Sequence, residues 1–219
     1  MANTAATLTI SSKTYSAWSL RGWLLCKMAG IEFDEKFVDV DDPENRQELL
    51  LLSPSVRVPR LSHRDVEVWD TLAIAEYLHE IAPTAGILPE DSKARSHCRS
   101  ISGEIHSGFY NLRSALPMNI KARHQAFKIF SGARPDVARV KEIWSECLTA
   151  HAGPFLFGEP SMADAMYAPV CTRFRTYAVE LEPELQAYCE TIFNWEPMAE
   201  WCAAAVEEPD EVVELEVEF

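Results

Sequence analysis

Apolar and polar residues change their spacing partway along this chain, and the change divides it in two. Up to about Pro83, short apolar runs alternate with segments of helical spacing. Leu8-Thr9-Ile10 reads as a strand. Trp18 to Met28 places Leu20, Trp23, Leu24 and Lys27 at helical spacing, and Gly30 follows as a C-terminal stop. Phe33 to Val40 predicts a second strand. Asp42-Pro43 opens a helix through Leu49 to Leu52, with proline at the first helical position. Leu61-Ser62 and Val66-Glu67-Val68 predict a hairpin around His63-Arg64-Asp65. A helix follows from Thr71, with Leu72, Ala75, Leu78 and Ile81 on one face. The order βαβαββα implies one crossover unit and one hairpin in an α/β layer.

The run Ala82-Pro83-Thr84-Ala85-Gly86, then Leu88-Pro89-Glu90-Asp91, is rich in breakers and reads as a linker. Beyond it the spacing is helical. Lys93 to Leu116 predicts one long helix stopped by Pro117, and Pro135 to His151 another, ended by Gly153-Pro154. Ser161-Met162-Ala163-Asp164 has capping-box spacing before an apolar run through Ala165, Tyr167, Ala168 and Val170. Shorter helices are expected at Glu184 to Phe193 and Pro197 to Val206. In the tail, Val213, Leu215, Val217 and Phe219 alternate with Glu214, Glu216 and Glu218, the period of a half-buried strand. Two domains are expected, 1–84 and 91–219.

Composition narrows the partners. The 219 residues carry a net charge of −14 with no basic cluster, which argues against nucleic acid and anionic membrane surfaces. The six cysteines are scattered, without a C-x-x-C pair or a histidine at metal spacing, so neither a disulfide framework nor a metal site is expected. Met1 to Thr9 has neither a charged n-region nor a long apolar run, and no segment has the length of a membrane span. The expectation is a reduced, cytoplasmic protein.

The densest chemistry lies between Arg57 and Leu78. X-Pro is the one linkage where a cis peptide is cheap. A cis Val58-Pro59 bond would turn the N–H and C=O of Val58 outward, where a peptide-like ligand could pair with them as an added strand. Asp70-Thr71 opens the next helix, whose free N–H groups, hydroxyl and positive dipole end suit a carboxylate.

A Val-Pro pair followed by an acid, a small hydroxyl residue and Ala-Ile-x-x-Tyr-Leu resembles the glutathione site of the glutathione transferase family. Here the segments are Val58-Pro59 and Asp70-Thr71-Leu72-Ala73-Ile74-Ala75-Glu76-Tyr77-Leu78. The likeness covers nearly the whole chain, from Leu8 to about Val206. Tyr15-Ser16-Ala17-Trp18-Ser19-Leu20-Arg21, Glu104 to Phe109, Leu112-Arg113 and Leu116 to Asn119 are similar to a group of bacterial members. The resemblance implies an α/β N-terminal thioredoxin-like domain, an all-α C-terminal helical domain and a homodimer. It also implies a glutathione transferase, with glutathione as co-substrate and a small electrophile as the second substrate.

A free thiol has a pKa near ~8.5, so little of it is nucleophilic thiolate at neutral pH. A hydroxyl donor at a helix N-terminus favours the anion. By the resemblance, counting back from Gly30, the catalytic serine position falls on Ser16, also a fitting N-cap; Tyr15, and after it Ser12 and Ser19, remain alternatives. Also by resemblance, Val58 pairs with the cysteinyl unit after the Pro59 corner. Asp70 meets the γ-glutamyl amine, Thr71 its carboxylate, and Arg57 the glycyl carboxylate. Val56 and Arg60 depart from the family's usual glycine and aliphatic residue. His106, Tyr110 and Arg113 share one face of the expected long helix, where interdomain packing is the first reading and a substrate lining the second.

Two other functions fit the resemblance less directly. One is a glutathione-dependent isomerase or lyase of the maleylacetoacetate isomerase type, with Arg113 or Arg123 for a dicarboxylic substrate. The serine-serine-cysteine signature of that isomerase is replaced by Tyr15-Ser16-Ala17-Trp18. The other is a non-catalytic glutathione-binding protein.

Overall fold

The computed structural model describes residues 6–38 and 57–209. The helix expected over 42–52 and the alternating tail at 213–219 lie outside the described residues. Strands β1 (Ala6–Ile10), β2 (Phe33–Phe37), β3 (Arg60–His63) and β4 (Val66–Val68) form one sheet in the order β2-β1-β3-β4. β1 runs parallel to β2 and antiparallel to β3, and β3 and β4 form the expected hairpin. Helix α1 (Ala17–Met28) links β1 to β2, and α2 (Thr71–Ile81) follows β4. Leu8, Ile10, Leu20, Leu24, Leu61, Ile74 and Leu78 close the core between them without solvent exposure.

The register sets where chemistry can gather. Thr9 faces Arg60, so Val58 and Pro59 lie beyond the end of β1 where the chain enters Ser11 to Ser16. Val68 faces Leu61, so Trp69 to Thr71 emerge at the same edge. Val58-Pro59 is cis, as expected. Helix α1 accommodates this corner through Gly22, where an added Cβ would lie 2.5 Å from Pro59 Cγ.

The remaining named elements among the described residues are helices. Helix α3 (Ser92–Ser107), α4 (Tyr110–Ala115) and α5 (Arg134–His151) precede the buried α6 (Met162–Thr176), and α7 (Pro183–Asn194) and α8 (Glu196–Glu207) complete the bundle. Trp144 of α5 packs against Tyr167 and Phe174 of α6 and Tyr188 of α7. No helix among the described residues is long and apolar enough to cross a membrane.

The long helix expected from Lys93 to Leu116 is broken. Gly108 is extended and Phe109 is left-handed at φ 58°, separating α3 from α4. A Cβ on Gly108 would sit 2.7 Å from the Glu104 carbonyl oxygen, so this bend requires glycine. A left-handed non-glycine residue costs roughly 1 kcal/mol or more. Burial of the Phe109 ring, about 1.5–3 kcal/mol, offsets it. Asp136 of α5 stabilises the new helix start by accepting the Leu112 N–H at 2.9 Å, and the buried Arg173 donates to the carbonyls of Arg113 and Leu116 at its other end. Apolar spacing continues across Gly108, so periodicity alone carried the expected helix through.

Candidate active site

Ser16 caps α1, its hydroxyl oxygen accepting the Ser19 N–H at 3.3 Å. Its hydroxyl donates to Ser19 Oγ at 2.9 Å, and Ser19 Oγ also accepts the Ser11 N–H at 3.0 Å. Ser19 is buried, whereas Ser16 is half-buried at the end of this short chain of hydroxyls. Ser12 is engaged elsewhere. Its hydroxyl donates to Glu208 Oε2 at 2.9 Å and accepts the N–H of Thr14 at 3.1 Å. Thr14 is buried, with its hydroxyl on the Ala205 carbonyl. Tyr15 is half-buried and donates its own N–H to Ser12 Oγ at 3.3 Å.

Across the sheet edge, Arg57 is exposed, Val58 half-buried and Pro59 buried. Among the described residues, the backbone N–H and C=O of Val58 carry no hydrogen bond. Arg60, unusual for the start of a buried strand, lies 3.4 Å from Glu67 on the adjacent strand. Asp70 caps α2, Oδ1 accepting the N–H groups of Leu72 at 3.0 Å and Ala73 at 3.4 Å. Its second oxygen remains half-exposed, 3.5 Å from His106 Nε2.

Thr71 is buried, and its hydroxyl lies 3.3 Å from His106 Nδ1. The imidazole, arriving from α3, therefore lies over the start of α2 with one nitrogen toward each residue. Burial lowers the His106 pKa below its ordinary value; Asp70 opposes this, and Arg21, Arg113 and Arg57 add to it. The shift favours the neutral ring.

Trp18 joins these pieces. His106 meets the indole edge-on at 5.1 Å, and the guanidinium carbons of Arg21 and Arg113 lie 4.4 and 4.9 Å from its ring centroid. His106 and Arg113 thus converge on one indole from two helices. Tyr110, at the start of α4 beyond the break at Gly108, is 70% exposed.

This sheet-edge arrangement can be set beside known proteins. The family model "Glutathione S-transferase, N-terminal domain" matches residues 15–81, and "Glutathione S-transferase, C-terminal domain" matches residues 123–204. The chain belongs to the glutathione S-transferase family. Glutathione S-transferase 1 of Dianthus caryophyllus is 30% identical over 156 residues, covering 70% of each chain. A probable maleylacetoacetate isomerase of Caenorhabditis elegans is 25% identical over 174 residues, covering 77% of this chain and 81% of the relative. Among solved structures, a glutathione transferase homolog from Burkholderia gl BGR1, crystallised with bound glutathione, superposes with a TM-score of 0.71. It is 22% identical and covers 93% of this chain and 99% of its own.

Sequence reasoning missed Ser19 as the partner of Ser16, His106 as the cover of Thr71, and Glu208. Ser19 had a local signal, lying three residues after the N-cap on the same face. The other two are contacts across 35 and 196 positions, with no local signature.

Proposed function

We propose that this protein is a cytoplasmic, homodimeric glutathione transferase that adds the glutathione thiolate to an electrophilic small molecule. The observation that carries this reading is the convergence at one sheet edge of Ser16, the cis Val58-Pro59 corner and the start of α2 at Asp70-Thr71. Val58 would pair with the cysteinyl unit beside Pro59, Arg57 with the glycyl carboxylate, and Asp70 with the γ-glutamyl amine. The γ-glutamyl carboxylate would reach Thr71 by taking the place of His106 Nδ1, which requires the imidazole to turn aside.

The thiol would then lie at the α1 N-terminus. Ser16 can turn its O–H from Ser19 to the sulfur, while Ser19, still accepting the Ser11 N–H, donates to Ser16 in return. Lowering a thiol pKa by two units needs about 2.7 kcal/mol, within reach of one charge-assisted hydrogen bond plus a helix end. Ser12 is a poorer donor, because its proton already lies on Glu208.

A second reading, isomerisation of a maleylacetoacetate-like diacid, is favoured by Arg21 and Arg113 gathered on Trp18, and by the isomerase-named relative. Calorimetry with glutathione comes first, and absence of binding at millimolar ligand would remove the basis of both readings. Next, Ser16→Ala should raise the pKa of the bound thiol in an ultraviolet thiolate titration and slow conjugation at neutral pH. An unchanged titration would move the role to Tyr15 or to the helix end. Turnover of a cis-diacid without net consumption of glutathione, with no conjugation across an electrophile panel, would select the isomerase.

A further inference from the structure

Lys13 and Thr14 belong to no helix or strand, and their backbone polar groups must find partners elsewhere. All four do so in the helical half of the molecule. Lys13 N–H donates to Glu208 Oε1 at 2.6 Å, and the Lys13 carbonyl accepts the Trp201 indole N–H at 2.9 Å. Thr14 N–H donates to Glu208 Oε2 at 2.9 Å, and its carbonyl accepts the Ile120 N–H at 3.2 Å. Glu208, directly after α8, also receives the Ser12 hydroxyl, so one carboxylate gathers three donors from three successive residues. Lys121 Nζ in turn donates to the Glu208 carbonyl, fixing the residue from its other side.

Ser12 carries this anchorage onward, because its carbonyl accepts the Ser16 N–H at 3.0 Å. We infer that Glu208 is a positioning residue for the loop that presents Ser16, locking residues 12–14 so that the Ser16 hydroxyl is held where a thiol at the start of α1 meets it. This rests on the proposed glutathione chemistry of Ser16. The chemistry of the contact requires a carboxylate. Its two oxygens accept all three donors, whereas a glutamine offers one oxygen and turns an NH2 toward groups that are themselves donors. Glu208 touches neither thiol nor electrophile in this assignment and acts through Ser12 and Ser16.

The test uses the full chain with Glu208→Ala, Glu208→Gln, Ser16→Ala and the Ser16→Ala/Glu208→Ala pair. Glu208→Ala should lower kcat about tenfold with an aryl halide electrophile, raise the bound thiol's pKa, and leave the KM for glutathione within about twofold. Glu208→Gln, the gentler variant should alanine fail to fold, should fall between wild type and Glu208→Ala. The double variant should be no slower than Ser16→Ala, because both changes act through one hydroxyl. Amide exchange read without any ligand should quicken at Lys13 and Thr14 while α1 stays protected. Unchanged exchange in both Glu208 variants would overturn the anchorage even if glutathione binds. Quickened exchange with an unchanged or lowered thiol pKa, a KM effect alone, or additivity with Ser16→Ala would overturn the positioning role. Wild-type protein that fails to bind glutathione would overturn the functional reading, and this role with it.

Discussion

Helices α2 and α6 both open with a hydroxyl and a carboxylate close together: α2 with Asp70 and Thr71, and α6 with Ser161 and Asp164. In both, the carboxylate accepts backbone N–H groups at the helix start. What differs is what surrounds them. Asp164 has no solvent exposure and accepts from four donors: the N–H of Leu156 at 3.0 Å, the N–H and O–H of Ser161 at 2.9 Å, and the Tyr188 hydroxyl at 3.2 Å. Asp70 spends one oxygen on its helix and leaves the other half-exposed beside a histidine. A carboxylate whose valences are all filled by its own chain is part of the fold. One with an oxygen left at an open edge is available to a ligand.

The largest test of that contrast is Asp164→Ala. It strands four donors in the interior, and breaking a buried, fully bonded charge costs about 3–5 kcal/mol. That is a large part of a typical folding free energy of roughly 5–15 kcal/mol. Denaturant unfolding should show the loss, while glutathione affinity per folded molecule stays as in wild type. A binding defect in the folded fraction would break the division between the two helices.

Much of this was legible in the sequence, because caps and corners are local. Ser16 before an apolar run, the hairpin around His63-Arg64-Asp65, the Val58-Pro59 corner, and the pairing of Ser161 with Asp164 are settled within a few residues. The expected helix across Gly108 failed because periodicity reports faces and not the backbone: Gly108 and the buried Phe109 interrupt the helix without altering apolar spacing. Glu208 was illegible for a different reason. Its three donors lie about 195 positions away. Tertiary hydrogen bonds to a loop leave no pattern in either partner's local sequence.

The second test uses pH. Burial raises the Asp164 pKa from 3.8 to about 6, with its four donors pulling the other way. The folded state therefore holds this proton up to a higher pH than the unfolded state does. The stabilisation is complete below 3.8 and is lost as pH rises through about 6. Asparagine does not titrate. The stability gap between wild type and Asp164→Asn should thus narrow by up to ~3 kcal/mol between acid and neutral pH, at about 1.36 kcal/mol per unit. Urea midpoints at three pH values decide it. A constant gap would mean that burial and the four donors cancel and leave Asp164 unshifted, and a gap that widens toward neutral pH would mean that the donors favour its ionised form.

Thr71→Val is the third and turns to the open helix. Valine keeps the volume in a buried site and removes the hydroxyl, so folding should change little. Glutathione should bind about tenfold more weakly, the equivalent of one hydrogen bond to a charged group at ~1.4 kcal/mol. Ser16→Ala should weaken binding less, since its proposed role concerns the thiol and not the ground-state carboxylate. The reverse order in calorimetry would place the ligand's carboxylate away from α2.

The smallest effect is expected from Asp70→Asn, the same exchange as at Asp164 but made at the open helix. Asparagine caps a helix about as well as aspartate, so the N–H groups of Leu72 and Ala73 keep their acceptor and stability should hold within about 0.5 kcal/mol. What is lost is the charge proposed to meet the γ-glutamyl amine. Because that oxygen is half-exposed, water already screens the pair, and exposed ion pairs contribute roughly 0.2–1 kcal/mol. Glutathione affinity should therefore fall only about two- to fivefold, and the difference should shrink as salt is added. A loss of stability here comparable to that of Asp164→Asn would mean that Asp70 also serves the fold, and the distinction between a filled and an open cap would no longer separate structure from site. A loss of binding a hundredfold or more would mean that glutathione excludes water from this edge far more completely than the free protein does, so that the open oxygen becomes a buried one only in the complex.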